Sequence, residues 1–163
     1  MGYPWMVEAK KYVGLKEIPG AKHNSTILNW LKELKAWWSE DESPWCGVYV
    51  GHCFKSCGLA IPKYYMRAKA WADGWGIKID KPIPGCVVVF ERTGGGHVGI
   101  VTGINSKGNL IVLGGNQGNM VKYSPFDTSR VVGYFVPKDY PNIDYTAKLA
   151  IVDNTDSLST NEA

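Results

Sequence analysis

No stretch of this 163-residue chain approaches the roughly 20 consecutive apolar residues that a membrane-spanning helix needs. The opening MGYPWMVEAKKYVG also lacks an apolar run of signal-peptide length behind a basic segment, so synthesis in the cytoplasm without a secretion signal is expected. Internal repeats and low-complexity tracts are absent. The length suffices for one hydrophobic core and falls short of two. We therefore assign residues 1–141 to one domain and 142–163, which turn polar and acidic, to a loosely held tail or linker stub.

The four cysteines lack the spacing of a zinc site. Cys53 and Cys57 form C-x₃-C with His52 beside them, but no second ligand pair follows, so no metal and no cofactor is expected. A disulfide framework fares no better. If Cys46 and Cys53 share one helix they stand about 10.5 Å apart along its axis, beyond disulfide reach. Cys53, Cys57 and Cys86 read as small buried hydrophobes. Acidic residues are also few in the body: residues 1–141 hold 17 Lys and Arg against 11 Asp and Glu, whereas 142–163 hold one against four. A basic body suits a polyanionic partner, and cell wall, nucleic acid and phospholipid all satisfy that requirement equally.

What is present divides into helices first and strands second. Trp5, Ala9, Tyr12 and Val13 recur at helical spacing from Pro4 to Val13, and Gly14 ends that segment. Ser25 or Asn24 caps a second helix, with Ile27, Leu28, Leu31 and Leu34 as its apolar stripe, reaching to about Trp38. A third begins with Ser43 as cap and Pro44 at the first helical position, and closes at Gly58. Beyond Ile77 the texture changes to short Val/Ile/Leu runs divided by glycine, at 86–90, 97–104, 110–115 and 131–136, with NSKGN as a hairpin loop. This order predicts an α+β fold with N-terminal helices packed on a small antiparallel sheet.

The third helix start carries the chemistry. Cys46 falls in its first turn, where unpaired N–H groups and the helix dipole favour a thiolate. His97 follows three glycines and opens a strand, so a rigid sheet edge holds its imidazole; Gly99, on the same side, leaves room for a helix beneath it. His23 and His52 lack such a context. The next strand ends at Asn116, whose amide oxygen is placed to accept the ring N–H and fix its tautomer, with Gln117 and Asn119 as weaker candidates.

The segments PWCGVYVG, GGGHVGIVTG and GGNQGN, with the Trp5, Glu17 and Gly20 pattern before them, resemble the CHAP and NlpC-type cysteine peptidoglycan hydrolases of the papain-like superfamily over residues 4–137. The likeness is greatest to small stand-alone hydrolases of phage lysis cassettes and bacterial genomes. It implies a papain-like fold, Cys46 as nucleophile, His97 as base and Asn116 as orienter. Trp45, Tyr49, Gly96 and Gln117 are the expected substrate-side residues; Trp37, Trp38, Trp71 and Trp75 are further groove candidates, although most of the tryptophans are expected in the core, where large aromatics dominate. Two departures stand out: Gly114 where many relatives have an acidic residue, and Cys86 where many have aspartate.

The function so implied is cleavage of a stem-peptide, cross-bridge or N-acetylmuramoyl amide bond by a monomeric bacteriolytic enzyme of endolysin type. Its partner is bacterial peptidoglycan rather than nucleic acid, and a holin or secretion machine gives it access to the wall. Two other classes compete. A wall-binding module without chemistry tolerates any residue at positions 46 and 97, whereas a transpeptidase or an amidase acting on another substrate shares the acyl-enzyme.

Overall fold

The structure, a computed structural model, describes residues 3–16, 26–27, 29–30, 45–92, 95–118 and 120–152. Helix α1 spans Pro4–Lys10, with proline at its start, and buries Trp5, Met6 and Ala9. Its chain turns away through Gly14, whose φ of 96° is open to glycine at little cost. Helix α2 spans Cys46–Ser56. Of the expected second helix, residues 26, 27, 29 and 30 are helical, with Ile27 and Trp30 buried. Its remainder, the cap at Ser43 and Pro44, and the residues Glu17, Gly20, His23, Trp37 and Trp38 lie outside the described residues.

Six strands follow: β1 (Gly76–Ile79), β2 (Val87–Arg92), β3 (Gly95–Ile104), β4 (Leu110–Gly114), β5 (Lys122–Phe126) and β6 (Val131–Pro137). They form one antiparallel sheet in the order β1-β6-β2-β3-β4-β5. This is the expected α+β arrangement of helices on a small antiparallel sheet. The expectation missed β1 and β5, which are the two edge strands. Edge strands tolerate interruptions that central ones do not, and Pro125 sits in β5 opposite Ile111.

The continuous run Val87, Val88, Val89, Phe90 reflects burial on both faces of the sheet. On one face Val87, Val89, Val98, Ile100 and Leu113 meet α1 and α2. On the other, Cys86, Val88, Phe90, Val101 and Val112 pack with Leu110, Phe126 and Val136. The helices are held to the sheet mainly by aromatics. Trp5 stacks between Tyr3 and Phe54, and its Nε1 donates to the Gly85 carbonyl at 2.8 Å. Trp71 and Trp75 close the far side of Phe54.

Helices α1 and α2 also share a polar tie. Glu8 Oε2 accepts from Tyr12 Oη at 2.9 Å and lies 2.7 Å from His52 Nε2, while Trp30 stacks on the His52 ring. Burial raises the Glu8 pKa, but hydrogen bonds from Lys11, His52 and Tyr12 outweigh it and hold the carboxyl below its ordinary value. The same surroundings push the Tyr12 hydroxyl up to about 12, burial first and Glu8 second.

The segment after Pro141 is set apart in the sequence as a loose tail, yet over residues 142–152 it lies along the body. The Asp144 N–H donates to Tyr3 Oη at 3.0 Å, and Ile143 packs against the core. Strand β3 runs past the start of β2, leaving its last residues an open edge. Residues 150–152 fill it: the Ile104 N–H donates to the Ala150 carbonyl at 3.0 Å, and the Val152 N–H to the Ile104 carbonyl at 2.7 Å. Composition does not reveal this, because backbone groups of any sequence can close a strand edge. Truncation after Pro141 is expected to lower the melting temperature by roughly 5–10 °C, as lost hydrogen bonds and apolar burial add up. Melting followed by circular dichroism checks this; an unchanged midpoint would show that the segment contributes nothing.

Candidate active site

Cys46 is the first residue of α2, so the thiol sits where the helix presents unpaired N–H groups. It keeps 5% of its surface open to solvent, whereas Cys53 and Cys86 keep none. Burial pushes its pKa up. A hydrogen bond and charge from the His97 ring, with the N–H groups of Val98 and Gly47, more than reverse this and hold the thiol below its ordinary value. The other three cysteines go the opposite way. Burial raises Cys53 and Cys57, and lifts Cys86 to about 12.

His97 lies on β3 opposite Phe90 of β2 and is fully buried. Its ring stacks on Phe126 at 5.5 Å and on Phe90 at 6.2 Å between centroids, which fixes its plane. Nε2 lies 2.9 Å from Gln117 Oε1. The Gln117 amide is itself held by two acceptors, since Nε2 donates to the carbonyls of Val112 at 3.2 Å and Lys122 at 2.8 Å. With both of its hydrogens committed to carbonyls, that amide can offer only its oxygen to the ring. His97 Nε2 must therefore carry the proton. Nδ1 is left unprotonated toward the thiol, which is the tautomer a base needs.

The structure thus brings Cys46, His97 and Gln117 together, and the contact expected of Asn116 is made by its neighbour. Asn116 is buried but adopts φ 59°, a left-handed turn that folds the chain back beneath β4. The next side chain, not that of Asn116, then points under the histidine. Asn119, the other candidate, lies outside the described residues. Gly114 makes this possible: a Cβ there would collide with Gln117 Oε1, so the amide occupies the space that a side chain at 114 would take. Gly99 serves the same neighbourhood. A Cβ on it would meet Val112, Leu113 and Gln117 rather than a helix, contrary to the role expected of it. Two glycines that leave room for a long amide beside the histidine are the signal that favours Gln117, the weaker candidate in the sequence, over Asn116.

Of the expected substrate-side residues, Trp45 and Tyr49 have no exposed surface. Trp45 packs in the core, and Tyr49 Oη donates to the Ala9 carbonyl at 2.6 Å. Neither lines an open groove. Trp71 is likewise buried, and Trp75 donates from Nε1 to the Ala60 carbonyl. Gly96 lies against Ala68 and Lys69. Among the described residues no group of three or more His, Cys, Asp and Glu side chains is placed to hold a metal ion, and no helix is long and apolar enough to cross a membrane.

Iodoacetamide is expected to alkylate Cys46 with a pH midpoint below the value of about 8.5 usual for a free thiol. His97→Ala should raise that midpoint, because only the Val98 and Gly47 N–H groups then oppose burial. Mass spectrometry of the labelled peptides across pH reads both. A midpoint that His97→Ala leaves in place would show that the ring does not tune the thiol.

No curated protein matches the chain significantly. Residues 38–116, however, match the CHAP domain, a span that contains Cys46 and His97 and ends one residue before Gln117. The match to the CHAP domain over residues 38–116, together with helices packed on an antiparallel sheet, is consistent with the papain-like fold of that family.

Proposed function

We propose that the protein hydrolyses an amide bond of peptidoglycan, with Cys46 as nucleophile, His97 as general base and then acid, and Gln117 as the residue that orients His97. The observation that carries this is the Cys46–His97 pair, a thiol at a helix start whose pKa the His97 ring lowers while Gln117 holds that ring's Nε2. The thiol proton passes to His97 Nδ1, and the thiolate attacks the amide carbonyl. His97 returns the proton to the departing amine as the C–N bond breaks, leaving an acyl-enzyme on Cys46. Water then attacks the acyl carbon, giving its proton to Nδ1, and the thiol is restored.

Gln117 takes no proton in this scheme. It keeps the hydrogen on Nε2 and stabilises the imidazolium as it forms. The proposal extends to a phage-lysis setting, supported by the resemblance to small stand-alone lysis enzymes, in which the protein is made in the cytoplasm and reaches the wall through a holin.

The test is release of soluble fragments from purified peptidoglycan. Cys46→Ala and His97→Ala should each abolish release with the fold retained by circular dichroism. Gln117→Ala should lower kcat by roughly 10- to 10³-fold, on the order of 1.4 to 4 kcal/mol of barrier. Asn116→Ala, which forces alanine into a left-handed turn, should cost about 1–2 kcal/mol of stability and affect rate less. Iodoacetamide should stop turnover, and a chelator should leave it unchanged. Full activity in Cys46→Ala would refute the mechanism. An Asn116→Ala variant slower than Gln117→Ala would return the orienting role to Asn116.

A further inference from the structure

The connection from α2 to the 3₁₀ turn at Ala68–Ala72 is clamped against the neighbours of both reacting residues. Gly47, next to Cys46, has no room for a Cβ because the Tyr65 carbonyl and the Met66 backbone occupy its place. Gly96, next to His97, faces Lys69 Cγ at 3.2 Å and Ala68 Cβ at 3.5 Å from where its own Cβ would stand. One short segment therefore packs against the residue after Cys46 and the residue before His97.

That segment, KYYMRAK at 63–69, has three cations and no anion. A turn closed by the Arg67 N–H on the Tyr64 carbonyl at 2.8 Å brings the Arg67 side chain over the Tyr64 ring. The guanidinium carbon sits 5.1 Å from the ring centroid and Lys63 Nζ 5.5 Å from it. Both cations and the ring are exposed. Lys69 is engaged with Glu91 at 3.1 Å, whereas among the described residues no carboxylate pairs with Lys63 or Arg67. Stacking on tyrosine restrains a guanidinium while leaving its N–H donors directed outward, so part of the ordering cost of binding is met in advance.

We propose that Lys63, Tyr64 and Arg67 form a carboxylate-binding subsite, which takes a free carboxylate of the peptide whose amide is presented to Cys46. Its position next to the scissile bond rests on the hydrolase reading. The ligand class rests on the two cations and their aromatic platform. A stem peptide whose glutamate carboxylate is free is then favoured over the same peptide with a carboxamide there.

The experiment uses the full chain carrying Cys46→Ala, so that peptide is bound without turnover. It is titrated with L-Ala-γ-D-Glu-L-Lys-D-Ala and with the corresponding peptide bearing a carboxamide on the glutamate. The free carboxylate should bind about five- to tenfold more tightly, the scale of a charge-assisted contact at an exposed site. Adding Arg67→Ala or Lys63→Ala should weaken that peptide alone, Arg67→Lys should retain part of the preference, and high salt should narrow it. Equal affinity for the two peptides, binding of neither, or an Arg67→Ala effect shared by both overturns the subsite. So does binding of a phosphate-rich wall polymer at these residues with both peptides ignored. Cleavage of either peptide by the Cys46→Ala protein would instead remove Cys46 as the nucleophile, and the affinity contrast would still decide the subsite.

Discussion

The side-chain amide of Gln117 is the constraint on which the site depends. Its two hydrogens are taken by the carbonyls of Val112 and Lys122, residues of neighbouring strands β4 and β5, so its oxygen has a single orientation available. That orientation fixes which nitrogen of His97 holds the proton, and so which one faces Cys46. Leaving such a buried amide unsatisfied costs about 1–3 kcal/mol, enough to make the alternative tautomer a rare state. The sheet thus sets the protonation state of a residue on β3 through a side chain beyond the end of β4.

Burial has opposite consequences for the four thiols because of what stands beside each one. Cys46, Cys53 and Cys86 all lie in the interior, where desolvation opposes ionisation. Only at Cys46 do an imidazole and two backbone N–H groups reverse that opposition. Cys53, two turns further along the helix, has Glu8 and Cys57 as electrostatic neighbours, and both add to the effect of burial. A single helix therefore holds a thiol whose pKa is lowered at its start and one whose pKa is raised two turns later.

The aromatic contacts determine where that helix start is held. Trp5, Phe54, Trp71 and Trp75 tie α1, α2 and the segment before β1 into one body. The close approach at Gly47 then leaves little freedom for the first turn of α2 to shift relative to the 63–69 connection. Trp45, Trp71 and Trp75, which the sequence offers for a groove, serve as packing.

The helix-then-strand order, the four central strands, and Cys46 and His97 as the pair to bring together were legible in the sequence. Hydrophobic periodicity, glycine punctuation and a thiol at a helix start are local signals that survive without coordinates. Three features were decided only in three dimensions. The left-handed turn at Asn116 set the Gln117 amide, rather than that of Asn116, against His97, since one backbone dihedral redirects every side chain after it. Edge strands β1 and β5, with weak patterns of their own, formed because partners were waiting. Residues 142–152 joined the body because β3 outruns β2 and leaves backbone groups to be paired. Sequence specifies what each residue can do locally, whereas vacancies in a sheet and space around a histidine exist only once distant segments have packed.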